Sequence, residues 1–318
     1  MATLRIRDLG QIKQADLQFG DLTVLVGPQA TGKSVVLQLV KLLVDTGYVQ
    51  EELQRYGMDW ERLLPPFLDL YFGEGMRSIW REQSTVTWLG KSIDMKAIAR
   101  RKRRTEDEKL FFVPAQRVLT LRDGWPRPFT DYAPGDPFAV REFSEKLRLL
   151  VEREFTAESL FPQERRLKKA FRELLKRDVF ANFHLRIDKV RSQKRLVLGT
   201  ADAKDSLPYM VWSAGQREFV PLLLGFYWLM PPTKVARRGA IEWVVIEELE
   251  MGLHPRAIAV VMLMVFELLH RGIVCASLPT LHRFLSTCGR WDVLRSTRQN
   301  RMRCSKYSMR QETKVFTK

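Results

Sequence analysis

The chain has 318 residues, 45% of them hydrophobic, with a formal net charge of +16, enough for one large domain with insertions or two modest ones. Its longest uncharged apolar run, FVPLLLGFYWLMPP at residues 219–232, is shorter than the roughly 18–20 residues a membrane-spanning helix requires, so no membrane segment is expected. No charged-then-apolar leader opens the sequence, and the expectation is a globular cytoplasmic protein.

The segment LRIRDLGQIKQADLQF alternates around Gly10 and predicts two short strands. After Gly20 and Asp21 comes LTVLV, residues 22–26, a β-branched apolar run suited to a buried strand. GPQATGKS, residues 27–34, follows directly, matches G-x-x-x-x-G-K-[ST], and leads into VVLQLVKLL with helical spacing. Gly27 and Gly32 allow dihedrals that turn amide N–H groups inward, so that the loop of Pro28, Gln29, Ala30 and Thr31 can cradle phosphate oxygens. The helix starting near Lys33 adds the positive end of its dipole. In such a loop the lysine, Lys33, reaches the β- and γ-phosphates and the hydroxyl, Ser34, ligates Mg2+. A Gly-rich turn before a core helix is the plainer alternative, but the strand–loop–helix order favours a nucleoside triphosphate site.

A first insertion, approximately residues 45–109, contains a β-rich stretch and ends in a run of five basic residues, Arg100 to Arg104. That run could hold nucleic-acid phosphate, although Glu106, Asp107 and Glu108 follow directly and a solvated, self-neutralised loop is preferred. LFFVPAQR, residues 110–117, is strand-like and ends in Gln116 and Arg117. GWPRPFTDYAPGDPF, residues 124–138, is Pro-rich and reads as an ordered loop. Two amphipathic helices, VREFSEKLRLLVEREF and PQERRLKKAFRELLKR, complete a second insertion at approximately 124–183. Residues 184–199 then alternate like a hairpin.

In WSAGQREF, Ser213 can cap the following apolar helix and Gly215 lets its first amides approach an anion, although ordinary capping would look the same. IEWVVIEELEMGLHP carries a buried strand at 243–246 that ends in Glu247 and Glu248. In P-loop enzymes a carboxylate at such a strand end holds Mg2+ and the next orients and deprotonates the attacking water. Those roles are assigned to Glu247 and Glu248 in turn; two acidic residues at an exposed strand end are the alternative. A long apolar helix, PRAIAVVMLMVFELLHRG, closes this region.

GPQATGKS, SAGQ, VVIEE and EMGLHP, in that order over residues 4–272, resemble the ABC-type ATPases of the SMC/RecF/OLD group within the AAA family, and more narrowly the bacterial stand-alone ATP-binding proteins of DNA repair and genome defence. The resemblance implies an α/β P-loop NTPase of ABC-ATPase head type. Its mixed core sheet would be flanked by helices, with an N-terminal antiparallel portion and a helical insertion. It implies ATP and Mg2+ as ligands and an ATP-dependent homodimer in which Ser213, Gly215 and Gln216 contact the γ-phosphate held by the partner. Gln116 is the candidate for the glutamine that touches Mg2+ and the attacking water; a polar strand end is the equal alternative. His254 falls in the loop that communicates across the dimer. Glu247 stands where the wider family mostly has Asp, and Leu249 where the subgroup commonly has Pro. The two amphipathic helices resemble the family's helical arm, but without sustained heptads a long coiled coil is excluded. The implied activity is ATP hydrolysis by Lys33 and Glu248, coupled to DNA repair or anti-phage defence through an effector or nuclease partner, with DNA itself a candidate partner. The rival reading is an ATP-dependent binding switch with little or no hydrolysis. A P-loop kinase is disfavoured by the SAGQ segment.

From residue 273 onward the composition changes: ten Lys/Arg face only Asp292 and Glu312, and all three cysteines, Cys275, Cys288 and Cys304, lie here. Their spacing suggests neither a disulfide framework nor a zinc site. The resemblance implies a buried strand followed by a histidine that hydrogen-bonds the γ-phosphate. His282 follows no evident apolar strand, and Pro279 interrupts the segment. The codons permitted for residues 273–291, read from their third bases, allow RVRLSTHSPQVLEYVWAL, which has the implied pattern. The domain is therefore expected to end at residue 272. Residues 273–318 are expected to be a frameshifted, basic, disordered tail, in a product lacking the histidine, with a divergent native segment as the alternative.

Overall fold

The computed structural model describes residues 1–100, 107–155, 159–180, 183–190, 193–200, 206–232, 238–278 and 314–317. Strands β1 (Ala2–Leu9) and β2 (Ile12–Phe19) form the expected hairpin. Gly10 turns it at φ 56°, where a Cβ would lie 2.9 Å from Ile79 Cγ1. Strand β3 (Leu22–Val26), buried at every position, leads into α1 (Lys33–Val44). The first insertion supplies α2 (Thr46–Arg55), α3 (Leu64–Phe72), β4 (Thr85–Trp88), β5 (Lys91–Ser92) and α4 (Met95–Arg100). Since β4 pairs antiparallel with β1, this insertion extends the N-terminal antiparallel sheet to the order β2-β1-β4-β5.

Next come β6 (Leu110–Val113), a small hairpin of β7 (Leu121–Arg122) and β8 (Trp125–Pro126), α5 (Phe138–Glu154), β9 (Ser159–Phe161) and α6 (Lys169–Leu175). They are followed by β10 (His184–Val190), β11 (Gln193–Gly199), β12 (Ser206–Pro208), α7 (Ala214–Leu229), β13 (Trp243–Glu247), α8 (Pro255–His270), β14 (Val274–Leu278) and β15 (Lys314–Thr317). The core sheet runs β15-β3-β14-β13-β6. Its last four members are mutually parallel, and β15 pairs antiparallel with β3. This is the predicted mixed α/β core.

Alternation along each core strand divides the interior in two. Leu25, Phe112, Val245 and Ala276 pack with the N-terminal sheet and α1–α3. Val24, Phe111, Val244, Ile246 and Cys275 pack with α5, α7, α8 and the four-stranded sheet β12-β11-β10-β9. Among the described residues no helix is long and apolar enough to cross a membrane.

Three expectations change. Helix α5 is not a peripheral arm: Phe138, Phe143, Leu147 and Leu150 are fully enclosed, and it packs on α7 and β6. Its polar stripe is buried because it pairs. Lys41 Nζ donates to Asp45 (2.9 Å), Glu108 (2.8 Å) and Leu110 O (2.6 Å) and lies 3.2 Å from Glu142 of α5. Lys146, also on α5, pairs with Glu142 at 2.8 Å and with Glu108. The second amphipathic helix begins only at Lys169. Before it, buried Arg166 is tethered to Tyr227 O (2.6 Å) and Glu154 (2.7 Å), which holds that segment against α7.

The third change concerns the C-terminal boundary. Residues 274–278 are a core strand seated between β3 and β13, with Cys275 opposite Leu22 and Val244. The buried strand is therefore supplied in the sequence as written, and the domain extends past residue 272. Cys275 is a buried thiol that burial pushes up to about 12. A wholly disordered tail also does not describe residues 314–317, which pair with β3. His282, Cys288, Cys304 and most of the basic run at 100–104 lie outside the described residues.

Candidate functional site at the ends of the parallel strands

Parallel strands present their C-terminal ends on one edge, where open α/β sheets bind ligands. Here β3 delivers the loop 27–34, β6 delivers Ala115 to Arg117, and β13 delivers Glu247 and Glu248 to the same edge. Helix α1 starts at Lys33 after Gly32 (φ 85°) with no side-chain cap. Its first-turn amides are thus left for an external acceptor, as an anion site requires. A Cβ on Gly32 would come 2.6 Å from Ile12 Cγ1, so the loop needs glycine both for its dihedral and for its seat on β2. Ala30 also takes positive φ, 58°. Pro28, Gln29, Ala30 and Ser34 are exposed, while Gly27 and Thr31 are half-buried.

Lys33 folds over this loop: Nζ donates to Gly27 O at 2.9 Å and to Pro28 O, and lies 3.4 Å from Thr31 Oγ1. Burial lowers its pKa, while the charge of Glu248 raises it. The two predicted catalytic groups are therefore close enough to feel one another.

Glu247 is 2% exposed. Its Oε2 accepts from Ala115 N at 3.1 Å, and the Ser34 hydroxyl also stabilises the charged carboxylate. Burial nevertheless pushes its pKa up to about 7. Among the described residues, its buried Oε1 has no partner in hydrogen-bonding geometry. A buried carboxylate oxygen without a donor, beside a serine hydroxyl, fits a divalent cation. No group of three or more His, Cys, Asp or Glu among the described residues is placed to hold a metal. Such a cation would then draw its other ligands from phosphate and water, as Mg2+ commonly does.

Glu248 departs from the strand with φ 42°, left-handed for a non-glycine residue, a conformation that costs of order 1–3 kcal/mol and is retained only when its surroundings impose it. The turn closes without proline: Leu249 is buried in the core and Met251 N donates to Glu248 O at 2.9 Å. Gln116 is exposed after β6, at the strand end beside β13 where the sequence reading put it. The residue that reading passed over is its neighbour, Arg117, fully buried and donating to Glu247 O (3.0 Å) and Glu248 O (2.8 Å). A basic residue right after an apolar strand was the available signal, but nothing local marked it as buried.

Ser213 caps α7 in a reciprocal capping box: its hydroxyl accepts from Gln216 N (3.2 Å) and Gln216 Oε1 accepts from Ser213 N (3.0 Å). Gly215 lies against the loop after β13, where a Cβ would be 3.2 Å from Gly252 O. Ser213 is exposed, and its and Gln216's hydrogen bonds are to each other, not to the loop 27–34. His254 is exposed and caps α8, its Nδ1 accepting from Arg256 N at 3.3 Å.

A glycine-bearing loop between a parallel strand and a helix, a carboxylate pair at a neighbouring strand end and a capped helix against the loop after that pair are the parts of a P-loop AAA domain. The model of the family described as "AAA domain, putative AbiEii toxin, Type IV TA system" matches residues 22–277, and the chain belongs to that family. The match runs through β14, in keeping with the extended boundary. A solved structure to which the chain is similar is the SmcHead bound to the C-winged helix domain of ScpA, at 11% identity, 90% coverage of each chain and a TM-score of 0.43. No curated protein matches the chain.

Proposed function

We propose that this AAA domain binds ATP with Mg2+ in the loop 27–34 and hydrolyses it by attack of water on the γ-phosphate. The observation that carries the reading is the convergence of Lys33, Ser34, Glu247 and Glu248 on one sheet edge, with Glu247 interacting with Ser34 and Glu248 with Lys33. Amides of the loop and of the first turn of α1 hold the phosphates, and Lys33 swings from its loop carbonyls to the β- and γ-phosphates. Ser34 and Glu247 would hold Mg2+, which supplies charge neutralisation on the phosphate oxygens. Glu248 orients the attacking water and accepts its proton, and Gln116, exposed after β6, is the proposed second contact to that water.

Ser213, Gly215 and Gln216 act on the nucleotide of a second copy in an ATP-dependent homodimer, a role supported by the exposure of Ser213 beside half-buried Gly215 and Gln216. Their hydrogen bonds within one chain do not involve the phosphate loop. DNA repair or anti-phage defence, with DNA and an effector or nuclease as partners, is the setting the motif resemblance favours. Equilibrium ATP binding, phosphate release and mass by light scattering, compared for the wild type and Glu248→Gln, test the reading. Wild type should turn over, and the variant should bind ATP, lose about a hundred- to a thousandfold in rate and accumulate as a dimer. Equal turnover by both proteins would remove Glu248 from its role. Binding without turnover in the wild type would leave a nucleotide-dependent switch.

A further inference from the structure

Arg117 touches three separate parts of the site. The guanidinium is fully enclosed, with Nη1 donating to Glu247 O, Nη2 to Glu248 O, and Nε to Glu218 O at 3.3 Å while lying 3.4 Å from Glu218 Oε2. Glu218 belongs to α7, downstream of Ser213 and Gln216. Burial lowers the guanidinium's pKa, and the charges of Glu218, Glu250, Glu248 and Glu247 oppose that. The planar fork thus fixes the geometry of every segment it binds. The same segments also meet directly. Gly252 takes φ 69°, and a Cβ there would lie 2.8 Å from Glu218 Cγ, while Gly215 abuts Gly252 O. The first turns of α7 and the loop 248–252 are in near-backbone contact, with Arg117 bracing both.

From this arrangement we propose that Arg117 is a positioning residue, coupling the capped start of α7 to the left-handed backbone of Glu248. A shift of α7 caused by engagement of Ser213 is passed through Glu218 and the guanidinium to the Glu248 carbonyl, and so to the direction of its carboxylate. The proposal rests on Glu248 being the group that activates water, but the coupling of the two segments is measurable without it.

The test uses the full chain and the variants Arg117→Lys and Glu218→Gln, the second keeping Arg117 in place in case the first fails to fold. Hydrogen exchange should rise together in peptides covering 213–218 and 248–253 in either variant, with the α1 amides unchanged. For phosphate release, kcat should fall about 10- to 100-fold, the scale of a misplaced catalytic group, while the ATP dissociation constant stays within about threefold. Arg117→Lys should also accumulate the ATP-bound dimer, as is expected of Glu248→Gln. Exchange that rises in only one of the two segments, or in neither, overturns the coupling. So does a full kcat in both variants beside an active wild type. If the wild type does not hydrolyse ATP but both segments loosen together, the hydrolytic reading fails and the coupling stands.

Discussion

Lys33 and Lys41 stand near opposite ends of one helix, α1, and the fold surrounds them differently. Lys41 is fully buried and bonded to Asp45, Glu108 and Leu110 O, with Glu142 at 3.2 Å. Burial alone would lower its pKa, but those three carboxylates hold it well above the usual lysine value. Lys33 is half-buried, its acceptors are carbonyls of its own loop and the Thr31 hydroxyl, and its pKa is lowered. A buried cation with several carboxylates is spent on holding α1, β6 and α5 together. A cation whose hydrogen bonds go only to neutral acceptors can exchange them for phosphate without breaking a hydrogen-bonded ion pair.

Exchanging the two lysines for the same apolar residue should separate these roles, and the largest effect is expected at Lys41. Lys41→Met leaves Asp45, Glu108 and Glu142 facing Lys146 alone, and uncompensated buried charge costs about 3–5 kcal/mol. Chemical denaturation should show that loss or yield insoluble protein. Lys33→Met should unfold at the wild-type denaturant concentration and lose ATP binding. A Lys41→Met protein of normal stability, or a destabilised Lys33→Met protein, would break the contrast.

Glu247 sharpens it from the acidic side, because its compensation is incomplete. Its carboxyl is raised from 4.5 to about 7 by burial, so between those values the folded chain binds more protons than the unfolded one. The favourable contribution of the protonated form is fully present at low pH and is lost as pH rises through the folded value, a change of roughly 3 kcal/mol. Melting curves of the nucleotide-free wild type and Glu247→Gln from about pH 5 to about pH 8 should show the wild type losing ground relative to the variant as pH rises. Parallel pH profiles would mean that Glu247 is fully compensated within the protein.

What could be read from the sequence was what is contiguous in it. The strand–loop–helix of residues 22–44, the strand ending in Glu247, the β10–β11 hairpin and the cap at Ser213 each declare themselves within one short window. Arg117 and Lys41 could not, since Arg117 bonds a carbonyl 130 residues away and Lys41, beyond its local pair with Asp45, a carboxylate 67 residues away. Helix α5 hides its burial for a related reason. Arg141, Glu142, Glu145 and Lys146 mark a solvent face by periodicity, yet all are buried, because Leu70 O, Lys41, Phe129 N and Glu108 on distant elements, with ion pairs along α5 itself, hold them. Strand β14 was hidden by composition: Cys275, Ala276 and Ser277 are small, and small residues suit a strand enclosed between β3 and β13 with α1 packed across it.

The smallest effect concerns Ser213, where the hydroxyl proposed to act in trans is also a helix cap. Ser213→Ala removes the bond to Gln216 N and should cost about 1 kcal/mol, whereas Asn caps as well as Ser. Ser213→Asn should therefore melt with the wild type, and thermal denaturation of the three proteins gives the capping contribution on its own. If the hydroxyl also serves the partner's nucleotide, Ser213→Asn will retain stability and ATP binding but lose ATP-driven dimerisation by light scattering. Recovery of both stability and dimerisation would reduce Ser213 to the helix cap its hydrogen bonds already show.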